Sequence, residues 1–172
     1  MIEKNTTQLI LTHFFDFPTA SIHLRELSRK TGFSMPTILS AIDKLRKENL
    51  VTIKKERAWT MLEANAQDKG FIRSKRLHNL EALYETGLVD ALQEKAPGVQ
   101  AIICFGSYSR GEDIETSDID IALVGAKEFR IPLDIYEKRL KRTISLHWIT
   151  MEKARPEFRN NIYNGMILEG AL

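Results

Sequence analysis

Across residues 6–15 the apolar positions Leu9, Ile10 and Phe14, with Thr6 one turn earlier, fall on one side of a 3.6-residue repeat, which predicts a helix buried along that side. Asp16-Phe17-Pro18 ends it. Ile22-His23-Leu24 reads as a short extended piece, and 25–30 as a helix that stops at Thr31-Gly32, glycine being the residue that tolerates a left-handed C-terminal cap. Ser34 then caps a second helix with Pro36 in its first turn, where a missing N–H costs nothing. Along that helix Ile38, Ala41, Ile42 and Leu45 share one face, and Thr37, Ser40, Lys44 and Lys47 share the opposite one. Asn49-Leu50 closes it, and 51–55 followed by 57–61 reads as a β-hairpin tipped with basic residues.

Further along, Leu77, Leu80, Leu83, Tyr84, Leu88 and Leu92 recur at helical spacing through 73–95, with a break at Gly87 and a stop at Pro97-Gly98. A leucine stripe of this kind serves a core or a dimer interface. Residues 99–105 form a short apolar run, a buried strand, that empties into Gly106-Ser107. Asp118-Ile119-Asp120-Ile121-Ala122-Leu123-Val124 alternates, so Asp118 and Asp120 are expected on one face and Ile119 and Ile121 in the core. A second alternating run, 143–149, sets Ile144, Leu146 and Trp148 against Thr143, Ser145 and His147.

Composition narrows the class. The 172 residues suffice for one well-cored domain or two small ones; 43% are hydrophobic and 28% charged, which suits a globular chain and argues against disorder or a membrane span. Met1-Ile2-Glu3-Lys4 lacks the apolar core of a signal peptide, so a cytoplasmic location is expected. Cys104, the single cysteine, forms neither an internal disulfide nor by itself a zinc site, and its apolar neighbours mark it as a buried small residue. The net charge of +2 is unevenly spread: residues 21–76 hold 13 Lys or Arg against 6 Asp or Glu, whereas 97–172 hold 10 against 11. The basic part suits a polyanion as well as a solvated surface.

The order helix, short strand, Glu26-Leu27-Ser28-Arg29-Lys30-Thr31-Gly32, capped helix and basic hairpin resembles the winged helix-turn-helix of bacterial and archaeal regulators over residues 1–65. That resemblance implies binding of double-stranded DNA, with Thr37, Ser40 and Lys44 facing base edges and Lys54, Lys55 and Arg57 near phosphates. Such a domain also serves dimerisation or protein docking, and a homodimer fits either use. Residues 66–96 are then a helical connector.

The chemistry concentrates in 97–172. Gly106 lets a phosphate approach the backbone, Ser107 adds a hydroxyl, and the N–H groups of a following helical turn complete a phosphate cradle. Two carboxylates spaced like Asp118 and Asp120 share hard divalent cations. Phe105-Gly106-Ser107-Tyr108-Ser109-Arg110-Gly111 with Ser117-Asp118-Ile119-Asp120 resembles the minimal nucleotidyltransferases of prokaryotes, within the DNA polymerase beta-like superfamily, over about Val99 to Thr150. The resemblance implies an α+β chain ending in a mixed-sheet domain, with Gly106 and Ser107 on the triphosphate of ATP or another NTP and Asp118 and Asp120 on Mg²⁺. Arg110 either adds charge to the phosphates or pairs with Glu112, Asp113 or Glu115.

Such families carry a third carboxylate on a later strand, here 143–149, which holds no acid; Ser145 or His147 takes that face, and His147 is a candidate for general-base assistance or metal ligation. Two functions follow. One is transfer of NMP, AMP from ATP, to a hydroxyl acceptor, as in antitoxins that modify a small helical toxin protein. The other is a degenerate site in a nucleotide-sensing transcriptional regulator.

Overall fold

The computed structural model describes residues 6–56 and 59–172, and the chain divides into two compact units, 1–75 and 76–172. In the first, α1 (Thr6–Asp16), β1 (Ser21–His23), α2 (Leu24–Thr31), α3 (Met35–Lys47), β2 (Val51–Glu56) and β3 (Trp59–Ala64) follow in order. The strands form an antiparallel sheet in the order β1-β3-β2, and Ile10, Phe14, Leu27, Ile38, Ile42, Leu45 and Leu62 fill one core beneath it. The second helix of the pair starts where a cap is available. Ser34 Oγ accepts the Thr37 N–H at 3.4 Å, Pro36 occupies the first turn, and the four buried residues of α3 are Ile38, Ala41, Ile42 and Leu45. Each such aliphatic side chain contributes about 1.5–3 kcal/mol on burial, so this stripe fixes which face α3 turns outward.

The division between the units falls within α4 (Lys69–Glu85), which is followed by α5 (Leu88–Lys95). Of the leucine stripe, Leu83, Leu88 and Leu92 are fully buried in the second unit's core, while Leu77 remains exposed. That unit continues with β4 (Ala101–Phe105), the single-turn α6 (Gly106–Arg110), β5 (Ile119–Val124), α7 (Asp134–Leu140), β6 (Ile144–Ile149), α8 (Pro156–Tyr163) and β7 (Met166–Gly170). Its sheet runs β6-β5-β4-β7; β4 is antiparallel to both neighbours and β5 is parallel to β6. Both faces are covered. Ile102, Cys104, Ile121, Leu123 and Leu168 pack with Leu83, Leu88 and Leu92 on one side, and Ala101, Ile103, Phe105, Ala122 and Val124 pack with Ile162 and Phe158 of α8 on the other. This double coverage is why 101–105 reads as an unbroken apolar run.

Strand directions gather three ends at one edge of the unit. The C-terminal end of β4 lies beside the N-terminal ends of β5 and β6, with Phe105 opposite Asp120 and Asp120 opposite Ser145. No described helix is long and apolar enough to cross a membrane.

Candidate functional site

Asp120 is the polar residue that β5 carries among buried neighbours; Ile119 and Ile121 are wholly inaccessible on either side of it. Alternation turns its carboxylate toward the β4 end, where the chain leaves Phe105 and turns at Gly106. Gly106 has φ +76°, and a Cβ placed there would lie 2.8 Å from Asp120 Oδ2. Glycine is thus demanded twice, by a left-handed backbone and by the protein's own carboxylate. The close approach that the sequence suggests for a phosphate is already made by Asp120.

The other Asp120 oxygen has a partner. His147 Nε2 lies 3.0 Å from Oδ1 across the parallel β5–β6 pair, and its ring sits edge-on to Phe105 with a 5.2 Å centroid separation and packs near Phe158 at 5.8 Å. A carboxylate only accepts hydrogen bonds, so His147 donates here and its Nε2 carries the proton. In this arrangement His147 orients Asp120; work as a base or ligand through Nε2 requires that bond to open. Ser145, the register partner of Asp120, supplies no carboxylate, so the site face of β6 bears no acid.

Asp118 precedes β5 and is exposed, at the end of a loop built by its own polar groups. Ser117 Oγ accepts the Ile114 N–H at 3.0 Å, and the Ser117 N–H returns to the Ile114 carbonyl at 3.0 Å, so the serine of Ser-Asp-x-Asp closes a turn. Within α6, Ser109 Oγ donates to the Gly106 carbonyl at 2.9 Å and the Glu112 N–H reaches the Ser107 carbonyl at 3.0 Å, and Ser107 is half-buried. Arg110 pairs with Glu112, Nε to Oε2 at 2.7 Å, so of its two expected uses the ion pair is formed.

Asp113, a candidate partner of Arg110 in the sequence, is instead held by two residues that the sequence did not signal, and together they lock this loop. Asp113, with a fully inaccessible side chain, accepts from Arg142 Nη2 at 3.1 Å and from Asn79 Nδ2 at 2.8 Å, and Asn79 also donates to the Tyr108 carbonyl of α6 at 2.9 Å. Helix α4, α6 and the approach to β6 are thereby tied to one carboxylate. Burial pushes the Cys104 thiol far above its ordinary range, with the Asp120 and Asp113 carboxylates adding to the shift.

The donor chemistry fits magnesium brought in with a nucleotide. Among the described residues no group of three or more His, Cys, Asp or Glu is gathered to hold a metal, which rules out a closed protein cage there. Magnesium binds through one or two carboxylates together with water and substrate phosphates, and Asp118 and Asp120 offer that number.

Residues 86–168 match the family model of the nucleotidyltransferase domain. That match lies wholly within the second unit. A candidate protein adenylyltransferase of Methanocaldococcus jannaschii, MJ0604, is 47% identical over 53 residues, which are 30% of this chain and 53% of that protein. The protein adenylyltransferase MntA of Shewanella oneidensis is 40% identical over 47 residues, 27% of this chain and 34% of that one. The aligned part of this chain thus spans about half the length of the first relative and a third of the second.

In the first unit, Thr37, Ser40 and Lys44 come together around a polar hollow of about 480 Å³ that Thr6, Thr7 and Pro36 also line. Lys47, on the same side of α3, is matched by Asp43 at 2.8 Å, whereas Lys44 forms no ion pair among the described residues. Lys54 pairs across the hairpin with Glu63 at 2.5 Å, a bond that holds the Glu63 carboxyl below its usual range. Its charge is therefore partly matched within the sheet; Lys55 is exposed, and Arg57 lies outside the described residues.

Proposed function

We propose that the chain is a Mg²⁺-dependent nucleotidyltransferase that moves AMP from ATP to a hydroxyl group of a partner protein, and that residues 1–65 bind double-stranded DNA as a winged helix-turn-helix. The observation that carries the transferase reading is the Asp120 carboxylate, set against Gly106 and His147 at the end of β4, beside the half-buried Ser107. Gly106 and Ser107 receive the triphosphate, Arg110 stands at its edge, and Asp118 and Asp120 hold Mg²⁺. The metal supplies charge neutralisation and a template for the phosphates. An acceptor oxygen then displaces pyrophosphate in line from the α-phosphorus. His147 keeps Asp120 in register through its Nε2–H.

A protein acceptor is favoured by the names of both relatives. A small helical toxin encoded beside this chain is the acceptor we propose, which makes the chain a cytoplasmic antitoxin. The basic first unit would bind its own operator, as a homodimer if the operator is palindromic. The absence of an acid on the site face of β6 favours a second reading, a nucleotide sensor without transfer activity.

The test is labelled ATP, Mg²⁺ and the neighbouring gene product as acceptor. Transfer is expected with the wild-type chain and is lost in Asp118→Ala with Asp120→Ala, and His147→Gln, which keeps an N–H donor, retains more activity than His147→Ala. Equal loss in the two His147 variants would give that residue the base or ligand role instead. Mg²⁺-dependent ATP binding with no transfer above the double variant would leave the sensor.

A further inference from the structure

We propose that the hollow between α3 and β3 reads thymine methyl groups in the DNA major groove, an inference that rests on the DNA-binding reading above. Helix α3 has two exposed flanks. Thr37, Ser40 and Lys44 form the polar one, and Met35 and Leu39, one turn apart, form an apolar one on the side of the hairpin. Leu39 is 47% exposed and Trp59, at the start of β3, is 57% exposed. With His23, Arg25, Met35 and Thr60 they surround a hollow of about 330 Å³.

Single exposed apolar side chains need no explanation, but several converging on one concavity mark a contact surface. This surface is also held ready. The Trp59 ring stands edge-on to His23 at a 5.0 Å centroid separation, and His23 is itself fixed because its Nδ1 accepts the Arg25 N–H at 3.2 Å. An exposed indole kept in one orientation loses little freedom when a ligand arrives.

Charge chooses the occupant. Arg25 lines the hollow, Lys55 stands opposite Thr60 on the hairpin, and Lys44 lies on the other flank of α3; none of the three forms an ion pair among the described residues. The stretch 21–76 carries 13 cationic against 6 anionic side chains. A partner must then be apolar over a small central area and anionic around it. The major groove of a duplex meets both demands, since thymine presents its C5 methyl between rows of phosphates. A protein partner would need an acidic rim around an apolar knob and is the competing outcome.

The experiment enriches duplexes from a random library with the full chain at low salt, then replaces every thymine with uracil, which removes the methyl and leaves base pairing unchanged. Each methyl read should contribute about three- to fivefold in affinity, the effect of burying one methyl-sized group. Leu39→Ala should bind thymine and uracil duplexes alike, while Thr37→Ala keeps their ratio. Circular dichroism and melting of both variants check the fold. Uracil duplexes that bind the wild-type chain as tightly as thymine duplexes would overturn this inference and leave DNA binding standing. No enrichment and no duplex binding at low salt would overturn the DNA reading itself. A dimer that Trp59→Lys dissociates in sedimentation, with duplex affinity unchanged, would assign the surface to a second copy of the chain.

Discussion

Replacing Gly106 with alanine separates a backbone requirement from a site requirement. At φ +76° an L side chain costs about 1–2 kcal/mol, of which about 0.4–1 kcal/mol is returned because alanine restricts the unfolded chain. Gly98 supplies the control: its φ is +84° and an added Cβ would meet nothing within 4 Å. Gly98→Ala should therefore cost about 1 kcal/mol, or about 4–8 °C of melting temperature for a unit of this size, and leave the site intact. Gly106→Ala carries the same backbone cost and a collision, because its Cβ would lie 2.8 Å from Asp120 Oδ2 where carbon and oxygen normally stop near ~3.3 Å. The carboxylate must retreat by about 0.5 Å, and since a 1 Å misplacement in an active site costs about 10²-fold, transfer should fall by roughly tenfold. The assay pairs thermal melting with Mg²⁺-dependent ATP binding by calorimetry and AMP transfer, for both variants. Similar melting losses with transfer and ATP affinity reduced in Gly106→Ala alone are expected. Equal function in the two variants would refute the claim that the glycine exists to admit Asp120.

Two other consequences concern buried charge and a buried thiol. Arg142→Ala removes the guanidinium from the enclosed Asp113 carboxylate, so it should destabilise by about 3–5 kcal/mol in denaturant unfolding, whereas Arg142→Met combined with Asp113→Leu should recover part of that loss. The raised Cys104 thiol contributes stability that is complete below its ordinary value of 9.0 and falls by about 1.4 kcal/mol per pH unit above it, because the unfolded chain then loses a proton that the folded one keeps. Cys104→Ala should flatten that decline in unfolding experiments between pH 9 and 11, and an unchanged slope would show that other groups cause it.

Legibility in the sequence followed the range of the interactions. The α3 face was readable because Ile38, Ala41, Ile42 and Leu45 repeat at helical spacing within thirteen residues and a serine stands at the cap. Strands β4 and β5 were readable because both faces of the sheet are covered there and the chain shows it as apolar runs. Helices α7 and α8 and strand β7 were not. Each is short, and α7 buries only Leu140 and α8 only Ile162, so no period emerges. The tie from Asp113 to Arg142 crosses 29 positions, and Glu112-Asp113 looks like any solvated acidic pair until the fold encloses Asp113.

The site shows the same limit in a sharper form. Gly106, Asp118 and Asp120 could be singled out by residue type and spacing, and His147 by the resemblance to families with a third acid, yet the relation between them depends on register. Because β5 and β6 are parallel with Asp120 opposite Ser145, the imidazole two positions further on reaches back to the carboxylate, and a carboxylate can only accept. A one-residue slip of β6 would turn His147 to the opposite face and bring Leu146 or Trp148 toward Asp120. The position that a third acid would fill is thus occupied by a group that steadies the second acid, and the site's remaining anionic charge rests on Asp118 and Asp120. In the proposed nucleotide site, two carboxylates would leave a divalent ion to complete its coordination on substrate phosphates and water, so metal binding and nucleotide binding should be coupled.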